Sequence, residues 1–275
     1  AGRPVSLAAP SLQTLYGAHI NYEGYLAIAL SQSGETPEIV TVCNQMRAAG
    51  AKVIGITNNA TSELARAVDV VLPLEAGEEK AVPATKTVTS QLLAVATVAA
   101  ALGPVPFTKT DLAALPAAVE QVLADEESAR RLAERWSSND RLLTVARGIL
   151  YGVALEAALK LKETAGVLAE GYSSADLRHG PVGAVDADVP TLLFDGGGPA
   201  SRDLAELRQI LLKRNAPVAL CSISSEADLP LPQLPEALAA IPAAVRAQQF
   251  ALALTLALGR NPDAPGGLSK VTQTH

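Results

Sequence analysis

Read for the alternation of apolar and polar positions, the first hundred or so residues break into short apolar runs separated by helical spacings. Tyr25 to Leu30 is a short apolar run, Glu38 to Ala49 carries apolar residues at helical spacing, and Val53 to Thr57 and Val70 to Leu74 have strand character. A longer helical stretch covers Thr85 to Leu102, and Gly103 to Phe107, with Pro104 and Pro106, reads as a linker. The pattern then restarts: strand Leu142 to Ala146, a turn at Arg147-Gly148, helix Tyr151 to Ala165, strand Thr191 to Phe194, helix Asp203 to Lys213, strand Val218 to Ile223. Short strands alternating with helices predict parallel sheets covered on both faces. The predicted fold class is α/β, in two doubly wound halves: residues 1–104, a linker and connecting helix over 105–127, and residues 128–275 ending in a tail.

The halves correspond in detail. MRAAGAKVIGIT in the first and LLKRNAPVALCSI in the second are each a helix end running into a strand. In that register the first half has no counterpart of the strand and helix from Leu142 to Ala165. Either residues that precede it are missing from the chain or the first half has degenerated.

Composition narrows the function classes. Hydrophobic residues make up 49% of the chain but aromatics only 3%, so the core is built from Ala, Leu and Val. The run from Leu92 to Leu102 is too short to span a bilayer, and residues 1–20 hold no sustained apolar segment. The expectation is a cytoplasmic chain with no membrane partner. A net charge of −6 with scattered Lys and Arg argues against nucleic acid as a partner. Cys43 sits in a helical pattern and Cys221 in a strand pattern, neither with a metal ligand at suitable spacing, so both read as buried thiols. No cofactor and no metal are expected.

The sharpest local signal is Ser31-Gln32-Ser33-Gly34-Glu35-Thr36-Pro37, directly after one strand and before a helix. Thr36 suits the helix N-cap and Pro37 the first helical position, which points the first amides into the turn. With the hydroxyls of Ser31, Ser33 and Thr36, those amides make a phosphate cradle that needs no lysine. An ordinary capped turn has the same composition; the place at a strand's carboxyl end, where open α/β sheets bind ligands, favours the cradle. In the second half Glu156, Lys160 and Glu163 stand at i, i+4 and i+7, one face of the helix. A solvated charged stripe would show the same spacing, but the flanking residues, Val153 to Leu161, are apolar nearly all round, and buried charges must be paired or used.

Beyond single motifs, SQSGET after an apolar strand, then AGAKVIGITN, then Ala67 to Leu74, then ATKT at Ala84 to Thr87 resemble the SIS (sugar isomerase) domain family. ALEAALKLKE at Ala154 to Glu163, AEGY at Ala169 to Tyr172, LRHGP at Leu177 to Pro181 and LSKVT at Leu268 to Thr272 are similar to one branch. That branch includes the isomerase part of glucosamine-6-phosphate synthase and the stand-alone SIS-type glucosamine-6-phosphate deaminases. The resemblance covers almost the whole chain in matching order.

What the resemblance implies is a phosphosugar isomerase or deaminase acting on a hexosamine 6-phosphate, with a sugar phosphate bound by Ser31, Gln32, Ser33 and Thr36 and touched by Val82. It implies that Glu163 moves a proton between C1 and C2 of the open-chain sugar, Lys160 polarises its oxygens, and Glu156 holds Lys160. It implies that His179 opens the ring, coming from the neighbouring subunit of a homodimer, and that Lys270 in the tail can form a Schiff base. Cradle, helix and tail are then expected to serve one site. Two departures stand out: the opening strand, turn and helix of the first half are absent, and Pro83 and Ala84 replace a small residue and a serine. Neither Cys43 nor Cys221 suits the nucleophile of a glutamine-splitting domain. A non-catalytic sugar-phosphate sensor or regulator is the alternative, although no helix-turn-helix or basic patch accompanies it here.

Overall fold

In the computed structural model residues 1–268 are described, and the chain divides into two compact units, one of residues 1–80 and 84–104, the other of residues 81–83 and 105–268. The first unit holds α1 (Pro10–Thr14), β1 (Leu26–Leu30), α2 (Pro37–Ala48), β2 (Lys52–Thr57), α3 (Glu63–Ala67), β3 (Val70–Pro73) and α4 (Lys86–Leu102). Its strands form a parallel sheet in the order β1-β2-β3, with Ala29 opposite Gly55 and Ile56 opposite Leu72. Alternation along the strands sorts the core. Val53 packs with Val42, Cys43 and Met46 of α2 and Leu64 of α3, while Ile56 turns the other way, toward Leu74 and Ala94 of α4. On β1, Ala27 and Ala29 join the α2 side, whereas Leu26, Ile28 and Leu30 stay 41%, 38% and 42% exposed. Among the described residues the sheet ends at β1, as expected from the repeat, and holds no counterpart of the strand and helix that open the second unit.

The second unit holds α5 (Lys109–Ala124), α6 (Glu126–Trp136), β4 (Arg141–Ala146), α7 (Tyr151–Lys160), β5 (Leu168–Ser173), α8 (Ser174–Arg178), β6 (Thr191–Asp195), α9 (Ser201–Lys213), β7 (Val218–Ser222), β8 (Leu229–Pro230) and α10 (Glu236–Ala257). All its pairings are parallel, in the order β5-β4-β6-β7-β8. One face carries Leu142, Leu192 and Phe194 under Ala154 of α7, Trp136 of α6 and Phe250 of α10. The opposite face carries Val145 and Leu193 against Leu207 and Leu211 of α9. Because β6 runs into α9 as β1 runs into α2, Leu192 and Phe194 occupy the face that Leu26, Ile28 and Leu30 occupy in the first unit. Here that face is roofed.

The longest apolar helix is α10, not the run at Leu92 to Leu102. By length and composition it could cross a membrane, yet 72% of its apolar window is buried inside the protein. Arg246 at its middle is 2% exposed and donates to the carbonyls of Pro230 (2.9 Å) and Asp125 (2.7 Å) and pairs with Asp125 Oδ2 at 2.8 Å. A charge so fully met belongs to a protein core. Cys43 and Cys221 are both buried and free, and burial pushes both thiols up, Cys221 far beyond the usual thiol range.

Candidate functional site

The turn from β1 to α2 is tight because Gly34 sits at φ +70°, and a side chain there would meet Ser62 Cβ at 2.5 Å and Thr57 Oγ1 at 2.9 Å. Its shape is set from inside: Gly34 N–H donates to Ser31 Oγ (3.1 Å), Glu35 N–H to Ser33 Oγ (3.2 Å), and Asn58 N–H to the Gln32 carbonyl (3.1 Å). Thr36 is the N-cap residue and Pro37 opens α2, but the Thr36 side chain does not cap the helix. Its hydroxyl lies 3.5 Å from Ser31 Oγ instead. The cap drawn from sequence is therefore absent as a hydrogen bond. The consequence is chemical: the first amides of α2 are left without a side-chain acceptor, at the positive end of the helix, where an anion is favoured.

A residue that sequence reasoning passed over shapes the same unit. Glu79, 8% exposed, accepts from Thr85 N–H (3.1 Å), Thr87 N–H (2.9 Å) and Thr87 Oγ1 (2.9 Å), so it caps α4 in place of the N-cap Thr85. Burial alone would raise its carboxyl, but the hydrogen bonds from Thr87 and Thr85 together outweigh it and hold the carboxyl below the ordinary range. Glu79→Gln is expected to cost about 1–3 kcal/mol at pH 7, since hydrogen bonds to a buried charge are lost. A group depressed on folding contributes stability above its unfolded pKa and loses it as pH falls through the folded one. Urea titrations from pH 7 downward should show that loss in the wild type and a flatter profile in the variant.

In the second unit the helix face drawn from sequence is present, with an irregularity. Lys160, 4% exposed, lies 3.6 Å from Glu156 Oε1 and is ion-paired with Glu163 Oε2. After Lys160 the helix widens into a π-helical turn over Leu161–Ala165, which carries Glu163 and ends at Gly166 in the left-handed region (φ +59°). Two carboxylates thus share one buried cation. Burial pushes the Glu156 carboxyl up, Lys160 pulls it back, and Glu163 pushes it up further, for a net rise. Glu156 Oε1 is buried without a hydrogen-bond partner. Lys160 is thus within reach of both carboxylates, closer to Glu163 than to Glu156. Beside it opens a cleft of about 550 Å³ lined by Lys162, Glu163, Thr164, Arg260 and Asn261, among others.

His179 lies at the end of α8, exposed, with Nδ1 2.8 Å from the Ala175 carbonyl. A carbonyl only accepts, so Nδ1 carries a proton and donates this bond. Its neighbour Arg178 fixes α8 to α9 by pairing with Asp203, which also accepts from Ser174 Oγ. No hydrogen bond or ion pair joins His179 to the Glu156, Lys160 and Glu163 cluster among the described residues. Val82 donates its N–H to the Asp263 carbonyl at 3.3 Å, so that donor is engaged within the second unit. Lys270 lies outside the described residues. Among the described residues no group of three or more His, Cys, Asp or Glu is placed to hold a metal ion.

Two doubly wound parallel sheets, one with an uncapped βα turn and the other with a buried lysine between carboxylates, define a duplicated α/β protein of the kind that binds ligands at strand ends. The chain belongs to the SIS domain family, whose profile matches residues 16–101 and 136–259. The isomerizing glutamine–fructose-6-phosphate aminotransferase of Streptomyces coelicolor is 33% identical over 267 residues, which is 89% of this chain and 43% of that protein. The chain therefore spans less than half the length of that relative. Tagatose-6-phosphate ketose/aldose isomerase from Escherichia coli superposes with a TM-score of 0.74 at 27% identity, over 94% of this chain and 75% of that one. Glucosamine-6-phosphate deaminase from Thermotoga maritima superposes with a TM-score of 0.82 at 22% identity, over 96% of this chain and 80% of that one. At that identity the last comparison speaks to fold alone.

Proposed function

We propose that the chain is a phosphosugar aldose–ketose isomerase or deaminase acting on a hexosamine 6-phosphate. The observation that carries this reading is Lys160, buried between Glu156 and Glu163 beside an open cleft. A fold that spent a buried lysine and two carboxylates on stability alone would gain little, because desolvation cancels most of the attraction. Glu163 takes the proton from C2 of the open-chain aldose and returns it to C1, while Lys160 steadies the negative charge that develops on oxygen. With an amino group on C2, the proton transfer yields a ketimine, which water splits into ketose phosphate and ammonia. Ser31, Gln32, Ser33 and Thr36 take the phosphate, and Val82 contacts the sugar. His179, through Nε2, opens the ring, and the working unit is a homodimer in which that histidine serves the partner's site. Lys270 keeps the role implied by the resemblance, forming a Schiff base with the ketose carbonyl.

The relatives named above support the substrate class, since both are named for six-carbon sugar phosphates. The test follows ammonia and ketose phosphate from glucosamine 6-phosphate. The double variant Ser33→Ala/Thr36→Ala should weaken the phosphorylated sugar by roughly tenfold or more, as hydrogen bonds to a charged group are lost, and leave unphosphorylated glucosamine unchanged. Equal weakening of both ligands would remove the cradle from the reading. Binding without ammonia release or ketose formation would favour a sensor.

A further inference from the structure

The π-helical turn that carries Glu163 is a poor structure by itself. A π turn is a rare irregularity inside an α-helix and persists where its surroundings hold it. Here Thr255, in the last turn of α10, and Arg260, just past its end, do so. Thr164 Oγ1 donates to the Lys160 carbonyl (2.8 Å) and lies 2.9 Å from Thr255 Oγ1, whose hydrogen it shares with the Ala251 carbonyl (2.6 Å), which ties the start of the turn to α10. Arg260 Nη1 donates to the carbonyl of Ala165, the last residue of the turn. A helix end leaves such carbonyls without partners, and a guanidinium is well suited to meet one.

The glycine that follows is fitted to this arginine. A Cβ on Gly166 would come within 3.2 Å of Arg260 Cζ and collide with Nη1, so the guanidinium lies directly against the bare backbone. Arg260 is itself held in place, its N–H donating to the Thr255 carbonyl at 3.0 Å just past Gly259 at φ +67°. Among the described residues Arg260 makes no ion pair, so its guanidinium is committed to a backbone carbonyl and to the wall of the cleft that Glu163 also lines.

We propose that Arg260 is a positioning residue: by holding the Ala165 carbonyl beside Gly166, it fixes the π turn and so the direction of the Glu163 carboxylate relative to Lys160. The inference rests on the reading of Glu163 as the base. Proton transfer is steep in geometry, and a displacement near 1 Å can cost on the order of 10²-fold in rate. Loss of the clamp therefore acts on turnover and leaves substrate capture, which does not pass through it, nearly intact.

The experiment uses the full chain with glucosamine 6-phosphate and compares wild type, Arg260→Ala, Arg260→Lys, Glu163→Gln and the double variant Glu163→Gln/Arg260→Ala. Arg260→Ala should lower kcat by about 10–100-fold with KM within about twofold, Arg260→Lys should fall between, and millimolar guanidinium should restore part of the Ala variant's turnover. In the Glu163→Gln background, removing Arg260 should cost nothing more, because a positioning residue has nothing left to position. Unchanged kcat in Arg260→Ala, a loss confined to KM, or full additivity in the double variant would overturn the proposal. If Arg260→Ala does not fold, Arg260→Lys alone decides by the same split between kcat and KM. Wild-type turnover in Glu163→Gln would overturn the reading of the base instead. In that case amide exchange at Gly166 and Val167, faster in Arg260→Ala if the clamp exists and unchanged if it does not, still judges the clamp.

Discussion

Glu163→Gln is expected to lower turnover of a hexosamine 6-phosphate by about 10²–10⁴-fold, the usual worth of a general base, with binding nearly unchanged. The amide keeps the shape of the carboxylate and still accepts a hydrogen bond from Lys160, but it has no affinity for a proton at neutral pH. Lys160 keeps Glu156 as counter-ion in this variant, and a urea midpoint measured beside kcat separates a fall in turnover from a fall in stability. Two measurements check it: kcat from ammonia or ketose release, and incorporation of solvent deuterium into recovered sugar. The second should vanish with the first, because exchange at carbon needs the same base. Full turnover in the Gln variant would assign the proton transfer elsewhere.

Lys160→Met carries the largest expected effect on stability, a loss of about 3–5 kcal/mol at pH 7, as for other buried ion pairs stripped of one partner. Methionine fills a similar volume, so the cost is electrostatic. Glu156 and Glu163 would face each other with no cation between them, and Glu156 is already raised by burial and by Glu163 against the pull of Lys160. Without that pull its carboxyl rises further. A group raised on folding favours the fold below its unfolded pKa and loses that advantage as pH rises through the folded one. The gap between variant and wild type should therefore be widest near neutrality and narrow toward pH of about 4–5, close to the ordinary carboxylate range. Urea midpoints at several pH values measure it, and a gap that does not move with pH would show that packing, not charge, was lost.

Much of this arrangement was legible in the order of residues. The β1 turn and α2 announce themselves through an apolar run, a Ser/Gly turn and Thr36-Pro37, and the Glu156, Lys160, Glu163 face follows from helical spacing. The π turn was not legible, because one inserted residue leaves Leu161 and Ala165 apolar and buried as a regular helix would. Nor was α10, whose buried positions run without a break from Leu238 to Ala247 and so show no amphipathic period. Strand β5 hides for the opposite reason: at the sheet edge it needs no apolar run, and its sequence Leu168-Ala169-Glu170-Gly171-Tyr172-Ser173 reads as a loop. Glu79 stands in a polar stretch, and nothing in its neighbours marks it as the acceptor for Thr85 and Thr87. Arg260 is equally mute, since its partner is a carbonyl.

The row of Leu26, Ile28 and Leu30 along β1 bears on how the two units answer temperature. Water lying against apolar side chains holds extra heat capacity, and a surface already wet in the native state adds none when the chain unfolds. The first unit begins its melting with that row partly hydrated, while Leu192 and Phe194 in the second unit are dry. Residue for residue, the first unit is expected to take up less heat capacity on unfolding. The expected consequence is a flatter stability curve for the first unit, bending less sharply on cooling and on warming.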